Sequence, residues 1–219
     1  MKEKFAVLFD MDGVIIDSNP YHKDAWLEFC RRYDVELKEE DVPRYIYGKT
    51  NKMALVDVFQ REFSPEESFR MSEEKEAIYR ELHRADISLI KGLDSLLKTF
   101  AQHDIPLAVC TNAPIANLDF MLEETGIRPY FKVLIDASQV SKGKPDPEIY
   151  LKAARLLDVP PARCIVMEDS TVGVEAGLRA GMKVVGITTT HTAAELAHTH
   201  LVIDDFEELT VDKLAALLQ

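Results

Sequence analysis

Short apolar runs alternate with amphipathic segments along most of the chain. Runs with the composition of buried parallel strands occur at 5–9, 105–110, 132–135, 164–167, 183–187 and 201–203. Apolar residues recur at helical spacing over 93–102, 115–124 and 149–157. Strands that alternate with helices favour parallel pairing, because each helix returns the chain to the same end of the sheet. The pattern therefore predicts an α/β fold with a doubly wound, Rossmann-like parallel sheet.

The stretch after the first strand breaks this alternation and shows one helical pattern after another. Ser64-Pro65-Glu66-Glu67 is a capping box that opens a helix. The charged part of that helix, 73–84, is expected to face solvent. We therefore predict an all-helical cap domain inserted into a catalytic core. The predicted ranges are 17–86 for the cap and 1–16 with 87–219 for the core.

Composition narrows the range of partners. Of the 219 residues, 47% are hydrophobic and 29% are charged, as in globular enzymes, and the formal net charge is −12. This charge argues against a nucleic-acid partner, which needs a basic face, and against a polybasic membrane anchor. The apolar run at 5–9 is too short for a secretory or membrane-spanning segment. We therefore expect neither a nucleic-acid nor a membrane partner.

The three cysteines bear on the cellular compartment. Cys30, Cys110 and Cys164 include no C-x-x-C pair, and the last two lie in apolar, strand-like runs. This placement predicts buried free thiols rather than a disulfide or a zinc site. An odd number of free cysteines fits a reducing compartment, so we expect a cytoplasmic protein.

The first apolar run ends in two carboxylates, Asp10 and Asp12, followed by Gly13. In open α/β sheets, ligands bind at the carboxyl ends of the strands. Two carboxylates at that edge repel each other, and a bound Mg²⁺ is the usual way to neutralise them. A turn or a helix cap has the same Asp-x-Asp-Gly spacing, so this segment alone does not decide between the two interpretations.

Three further polar segments follow other predicted strands. Thr111-Asn112 offers a hydroxyl, an amide and backbone N–H groups before a helix, which suits a phosphate. Lys144 lies between a glycine and two prolines and offers a fixed cation, the alternative being a solvated loop lysine. Glu168-Asp169 ends a strand, where it can bind metal or cap the next helix. With the two aspartates, these groups suit phosphoryl transfer, which depends on positioning and charge neutralisation.

Four segments in this order carry a family resemblance: FDMDGVIIDS, the loop at Thr111, GKPDPEIY and MEDSTVGVEAGLRAG. Over essentially its whole length the chain resembles the haloacid dehalogenase superfamily, in the branch of small phosphatases and phosphoglucomutases with a helical cap. The resemblance implies that Asp10 is the nucleophile and forms an aspartyl-phosphate. It implies that Asp12 is the general acid and base.

The resemblance also implies a metal cofactor. Asp10, the backbone carbonyl of Asp12 and Asp169 would hold Mg²⁺, with Glu168 acting through a metal-bound water. Lys144 would neutralise the charge of the nucleophile and the phosphate together. These roles match the chemistry that the residues indicate by themselves.

Phosphate and substrate contacts follow from the same resemblance. Thr111 and Asn112 would bind the transferring phosphoryl oxygens, and Gly13 would permit the tight turn that brings backbone N–H groups to the phosphate. In the cap, His22 and Lys49 would contact the substrate. Opening and closing of the cap would exchange substrate and exclude bulk water.

The leading prediction is a Mg²⁺-dependent phosphatase that acts on a small phosphate monoester, a sugar phosphate. The alternative is β-phosphoglucomutase, because the sequence at Tyr21-His22 resembles that of this mutase. However, mutases favour an arginine in the cap loop, where this chain has Lys49, and a serine-rich loop after the second strand, where this chain has Thr111. Relatives with pyrophosphatase activity carry an acid where this chain has Tyr47. A catalytically silent binding module is a further alternative. We expect a monomer whose partner is a small phosphorylated metabolite.

Overall fold

A computed structural model of the protein describes residues 5–46 and 49–219. Tyr47, which counts against pyrophosphatase activity, lies outside the described residues. The described chain divides into two compact units, one formed by residues up to Asp17 together with Ile87–Gln219 and the other by Ser18–Asp86. The sequence predicts boundaries after residues 16 and 86.

One parallel sheet organises the first unit, and within the described residues it has six strands. The strands are β1 (Ala6–Phe9), β2 (Leu107–Cys110), β3 (Val133–Ile135), β4 (Cys164–Glu168), β5 (Lys183–Ile187) and β6 (Leu201–Ile203). Their order across the sheet is β3-β2-β1-β4-β5-β6. This topology confirms the predicted doubly wound α/β fold.

The register of the sheet aligns the ends of its three central strands. Phe9 in β1 pairs with Val109 in β2 on one side and with Met167 in β4 on the other. The residues that follow these positions therefore emerge at one edge. Because the chain runs from β1 to β2 on one side and reaches β4 on the other, this edge is the topological switch point where α/β proteins bind ligands.

The second unit is an all-helical insertion. Its helices are α1 (Asn19–Arg32), α2 (Val42–Tyr45), α3 (Asn51–Phe59) and α4 (Pro65–His83). The Ser64 side chain caps α4 by accepting a 3.1 Å hydrogen bond from the Glu67 N–H, as the capping box predicts. Trp26, Phe29 and Leu55 are buried in the hydrophobic core of this unit. Burial of these apolar faces is what stabilises the helices.

The expectation that the charged part of α4 faces solvent holds only in part: Glu81 and Arg84 are exposed, but one face of this segment is buried. Lys75 and Glu76 are 2% and 4% exposed, and Tyr79 is fully buried. The two charges tolerate burial because they lie 2.8 Å apart and because further partners surround them. Lys75 Nζ lies 2.9 Å from His22 Nδ1, and Asn51 Nδ2 donates to Glu76 Oε1 at 2.7 Å.

Helices cover both faces of the sheet. They are α5 (Leu93–Gln102), α6 (Ile115–Thr125), α7 (Glu148–Leu157), α8 (Thr171–Arg179) and α9 (Val211–Ala216). Val7 and Phe9 point into the hydrophobic cluster that includes residues of α5, α6 and α9. Ala6 and Leu8 point into the cluster that includes residues of α7 and α8. Because successive strand residues face opposite sides, a strand covered on both faces is apolar throughout.

Asp146-Pro147 has the pattern of an N-cap followed by proline at the first helical position, which predicts that α7 begins at Pro147. Pro147 is the N-cap of α7 rather than its first helical residue, and Asp146 Oδ1 accepts a 3.0 Å hydrogen bond from the Glu148 N–H. Cys30, Cys110 and Cys164 are buried free thiols, as predicted. In the part of the chain that the structure describes, no helix is long and apolar enough to cross a bilayer.

Candidate active site

Asp10 is the first residue after β1 and the centre of the candidate site. Its N–H donates a 3.0 Å hydrogen bond to the carbonyl oxygen of Met167, which ties the backbone to β4. Its Oδ1 accepts a 2.7 Å hydrogen bond from Lys144 Nζ. Lys144 reaches this position from the loop before α7, and its side chain is 3% exposed. The structure therefore brings together two predicted site residues that are far apart in sequence.

Glu168, the last residue of β4, is a fully buried carboxylate in contact with several donors. Its Oε1 accepts hydrogen bonds from Lys144 Nζ at 2.6 Å and from the Tyr150 hydroxyl at 2.5 Å. Its Oε2 accepts from the Ser170 hydroxyl at 3.1 Å. A Cβ at Gly173 would lie 1.9 Å from Glu168 Oε1, so the close approach of α8 to this carboxylate requires glycine.

Tyr150 is a site residue that the sequence analysis missed. Its hydroxyl is buried against Glu168, and its ring lies 5.1 Å from Lys144 Nζ. The residue belongs to the segment GKPDPEIY, so it was inside a recognised motif. Its role depends on the contact between its hydroxyl and Glu168 at the end of β4, and the sequence of the segment alone does not reveal that contact.

The turn after β1 contains Asp12 and places Gly13 beside Asp169. Asp12 is half-buried and bridges to Ile16. Gly13 has φ +75°, and a Cβ there would lie 2.0 Å from Asp169 Oδ2. The N–H of Gly13 donates to the Ile16 carbonyl oxygen at 2.8 Å, so this residue shapes the turn. Both its backbone conformation and its surroundings require glycine.

The acidic residues form a compact cluster. Ligand oxygens of Asp10, Glu168 and Asp169 lie within 4.8 Å of one another. Burial raises the pKa of Asp10 to about 7; Lys144 opposes this rise, and Glu168 and Asp12 add to it. Burial and the charges of Glu168 and Asp10 also raise the pKa of Asp169 well above its usual range. The cluster thus gathers more negative charge than Lys144 alone neutralises.

This excess negative charge shows whether the residues are suited to bind a metal ion. A divalent cation would lower the energy of the ionised carboxylates, and carboxylate oxygens are the donors that Mg²⁺ prefers. Lys144 stays protonated: burial disfavours its charged form, but the carboxylates of Asp10 and Glu168 outweigh burial and raise its pKa above the usual value. The donor set therefore fits Mg²⁺.

The loop after β2 contributes Thr111 and Asn112. The Thr111 N–H donates to the Ile135 carbonyl oxygen at 2.9 Å, and the Thr111 hydroxyl accepts from the Ala113 N–H at 2.9 Å. Asn112 Oδ1 accepts a 3.3 Å hydrogen bond from the Lys144 N–H, which joins this loop to the lysine loop. The helix α6 begins at Ile115, so a short loop separates both residues from it.

The two predicted substrate contacts of the helical insertion have partners within that unit. Lys49 Nζ donates to Asp57 Oδ2 and, at 2.7 Å, to the Arg44 carbonyl oxygen. The ring of His22 stacks on Tyr79 with centroids 3.9 Å apart. Lys75 and Glu76, which the sequence analysis assigned to solvent, complete the polar surroundings of His22.

A model of the haloacid dehalogenase-like hydrolase family matches residues 7–187, which include Asp10, Thr111, Lys144 and Asp169. The chain belongs to this family. Membership confirms the resemblance that the four segments carry and identifies the protein as an enzyme of the haloacid dehalogenase type.

Several curated relatives of the chain are phosphatases. It is 31% identical to 5-amino-6-(5-phospho-D-ribitylamino)uracil phosphatase of Arabidopsis thaliana over 97% of its own length, and it spans 57% of that relative. It is 35% identical to validoxylamine A 7′-phosphate phosphatase of Streptomyces hygroscopicus subsp. limoneus, over 93% of this chain and 95% of the relative. It is 32% identical to hexitol phosphatase A of Escherichia coli K12, over 94% and 93%.

Solved structures share the fold. A family IA, variant 3 hydrolase of Entamoeba histolytica superposes with a TM-score of 0.91 at 32% identity, over 98% of this chain and 99% of that chain. The β-phosphoglucomutase of Clostridium difficile superposes with a TM-score of 0.81 at 28% identity, over 99% and 97%. The chain thus falls in the β-phosphoglucomutase-like branch of the family.

Proposed function

We propose that the protein is a Mg²⁺-dependent phosphatase that hydrolyses a small phosphate monoester, a sugar phosphate, through an aspartyl-phosphate on Asp10. The observation that carries the proposal is the contact of Lys144 Nζ with Asp10 Oδ1 at 2.7 Å, next to the oxygens of Glu168 and Asp169. A nucleophile, a fixed cation and an acidic metal site at the switch point are the parts that phosphoryl transfer needs.

In the first step, an oxygen of Asp10 attacks phosphorus while the bond between phosphorus and the ester oxygen breaks. Asp12 gives its proton to the leaving oxygen, so the alcohol departs neutral. In the second step, Asp12 takes a proton from water, whose oxygen attacks phosphorus and displaces the carboxylate of Asp10. The products are inorganic phosphate and the regenerated enzyme.

The remaining residues orient and neutralise charge. Lys144 keeps its proton throughout and balances the charge of Asp10 and the phosphoryl group. Thr111 and Asn112 bind phosphoryl oxygens, and Asp10, the Asp12 carbonyl and Asp169 hold Mg²⁺. Bound Mg²⁺ supplies electrostatic stabilisation of the phosphoryl oxygens.

Substrate choice belongs to the helical insertion in this proposal. His22 and Lys49 contact the part of the substrate that leaves, and the buried pair Lys75 and Glu76 fixes the orientation of His22. Relatives named as phosphatases of hexitols and of validoxylamine A 7′-phosphate support a polyhydroxylated leaving group. Alanine at Lys49 is expected to raise KM more than it lowers kcat.

β-Phosphoglucomutase is the second candidate. The similarity of the whole chain to a β-phosphoglucomutase, at a TM-score of 0.81, favours it. A mutase must return the phosphoryl group to a second hydroxyl of the sugar before water attacks. The presence of Lys49 and of Thr111, in place of the arginine and the serine-rich loop, favours the phosphatase.

One panel tests both candidates. Purified protein is incubated with Mg²⁺ and a hexitol phosphate, fructose 1-phosphate, phosphoglycolate, pyrophosphate, or β-glucose 1-phosphate with and without glucose 1,6-bisphosphate. We expect phosphate release from a sugar or hexitol phosphate, and its loss with EDTA or with Asp10→Asn. Glucose 6-phosphate forming faster than free phosphate would establish the mutase. Turnover of no substrate, or full activity of Asp10→Asn, would refute the enzyme mechanism.

A further inference from the structure

The loop after β5 brings three successive side chains onto the metal-site residues. The Thr189 hydroxyl donates to the carbonyl oxygen of Gly13 at 2.5 Å. The Thr190 hydroxyl donates to Asp169 Oδ2. His191 Nδ1 lies 3.0 Å from the backbone oxygen of Asp169. The loop therefore holds both the turn after the nucleophile and the carboxylate assigned to the metal.

The space around Asp169 Oδ2 is tightly filled. A Cβ at Gly13 would lie 2.0 Å from this oxygen and 3.0 Å from Thr190 Oγ1. Asp169 is 4% exposed, whereas Thr190 lies at the surface and directs its hydroxyl inward. When the Asp169 carboxylate is ionised to bind a cation, a hydrogen bond to it is stronger than one between neutral groups. The bond from Thr190 therefore restricts the rotation of the Asp169 carboxylate.

The loop is itself anchored at both ends. The Thr188 N–H donates to the Ile203 carbonyl oxygen at 3.0 Å, and the Thr188 hydroxyl donates to Asp204 Oδ1 at 2.5 Å. After the loop, the Thr192 hydroxyl donates to Glu195 Oε2 at 2.7 Å. These contacts are independent of Asp169. The position of Thr190 is therefore determined by the fold rather than by the carboxylate that it contacts.

We propose that Thr190 is a positioning residue that sets the Mg²⁺ affinity of the site by fixing the orientation of the Asp169 carboxylate. The inference rests on the proposed Mg²⁺-dependent function. A ligand held in one orientation binds the cation without first losing rotational freedom, and partners that orient metal ligands typically change metal affinity about 10–100-fold. Thr190 acts through Asp169, so its effect is on the metal and not on the phosphate ester.

Two variants of Thr190 distinguish the effect of its hydroxyl from the effect of its side-chain volume, and a third variant is a control. Thr190→Val removes the donor and keeps the volume, and Thr190→Ser keeps the donor. Thr99→Val is the matched control, because it makes the same substitution at a threonine whose hydroxyl donates to the Ser95 carbonyl oxygen on α5. Mg²⁺ binding to each full-length protein is measured by titration calorimetry, and folding is checked by thermal melting.

We expect Thr190→Val to weaken Mg²⁺ binding about tenfold. Thr190→Ser restores the affinity, and Thr99→Val leaves it unchanged. In activity assays, the Mg²⁺ concentration for half-maximal rate rises in Thr190→Val, whereas KM for the substrate at saturating Mg²⁺ stays constant. A merely structural role would change the melting temperature without this selective shift.

The outcomes distinguish this inference from the proposed function. If the parent protein binds Mg²⁺ and releases phosphate but Thr190→Val binds Mg²⁺ equally well, the inference is overturned and the proposed function stands. Equal weakening in Thr190→Ser would overturn it as well, because the hydroxyl would not be responsible. If the parent protein binds no Mg²⁺ and has no Mg²⁺-dependent activity, both are overturned.

Discussion

The Tyr150 hydroxyl and Lys144 Nζ share one acceptor, Oε1 of Glu168, at 2.5 and 2.6 Å. The tyrosine therefore holds the carboxylate that holds the lysine, and the lysine in turn contacts Asp10. This chain of contacts connects α7 and β4 to Asp10, the proposed nucleophile. It explains why a phenolic hydroxyl is buried among charged groups.

Tyr150→Phe tests this chain of contacts. We expect kcat to fall about tenfold with little change in KM, because Glu168, the partner of Lys144, loses a donor that fixes it while the substrate contacts remain. The free energy of unfolding should fall by about 1–3 kcal/mol, since a buried carboxylate loses a donor. Steady-state kinetics and urea denaturation measure the two effects. Tyr130→Phe on the same unit is the control, and equal kinetics for both variants would contradict the prediction.

Lys144→Met removes the fixed cation from the site. We expect kcat to fall about 10²–10³-fold, because in the proposed mechanism Lys144 balances the charge of Asp10 and the phosphoryl group. Lys142→Met is the matched control, since this lysine is exposed two residues earlier in the same loop. Initial rates of phosphate release measure both. Parallel losses in the two variants would show that net charge, and not the position of Lys144, matters.

Comparing Gly13→Ala with Gly126→Ala distinguishes the effect of backbone strain from the effect of a steric clash with Asp169. Both glycines have positive φ, at +75° and +66°, so alanine costs about 1–2 kcal/mol of stability at each. Only at Gly13 would the new methyl group overlap Asp169. We therefore expect Gly13→Ala to lose Mg²⁺-dependent activity and Gly126→Ala to keep it. Thermal melts and phosphate release provide the measurements, and an active Gly13→Ala variant would refute the argument.

Glu76→Gln tests the buried charges of the helical insertion. Burial disfavours the charged form of Glu76, but Lys75, His22 and Asn51 outweigh burial and lower its pKa to about 2, from 4.5 in the unfolded chain. A lowered folded-state pKa means that the ionised group stabilises the fold above about pH 4.5. That contribution is lost as the pH falls from about 4.5 towards 2.

The variant should therefore be less stable than the parent protein at pH 7, by about 3 kcal/mol, because Lys75 loses its ionised partner. The difference in unfolding free energy should shrink as the pH falls below 4.5. Urea denaturation of both proteins between pH 3 and pH 7 measures it. A difference that is constant over this range would contradict the assigned pKa.

The strands and most helices follow from the sequence because their pattern is local. The apolar run at 5–9 and the spacing over 93–102 each need only neighbouring residues to be interpreted. The association of Asp10 with Glu168 is also predictable, because parallel strand ends meet at one edge of a sheet, whereas Lys144 reaches them from the loop before α7. The rule about strand ends is sufficient for this prediction, and no side-chain contact needs to be known.

The residues that were missed depend on contacts between distant segments. Lys75 and Glu76 have the local pattern of a solvated helix, and only the approach of His22 and Asn51 makes their burial possible. Tyr150 and Thr190 are ordinary members of a helix and a loop until β4 places Glu168 and Asp169 beside them. Charge and hydropathy patterns along a chain contain no information about such pairings.

The central position of β1 has a consequence for biosynthesis. Ala6 pairs with Cys164 and Val7 pairs with Leu107, so both neighbours of the first strand emerge from the ribosome long after it. At about 5–20 residues per second, this wait is on the order of ten seconds. Meanwhile the helical segment Ser18–Asp86, with its own hydrophobic core, is already complete. The strand that precedes Asp10 is therefore an exposed, aggregation-prone apolar segment in the nascent chain until β4 is made.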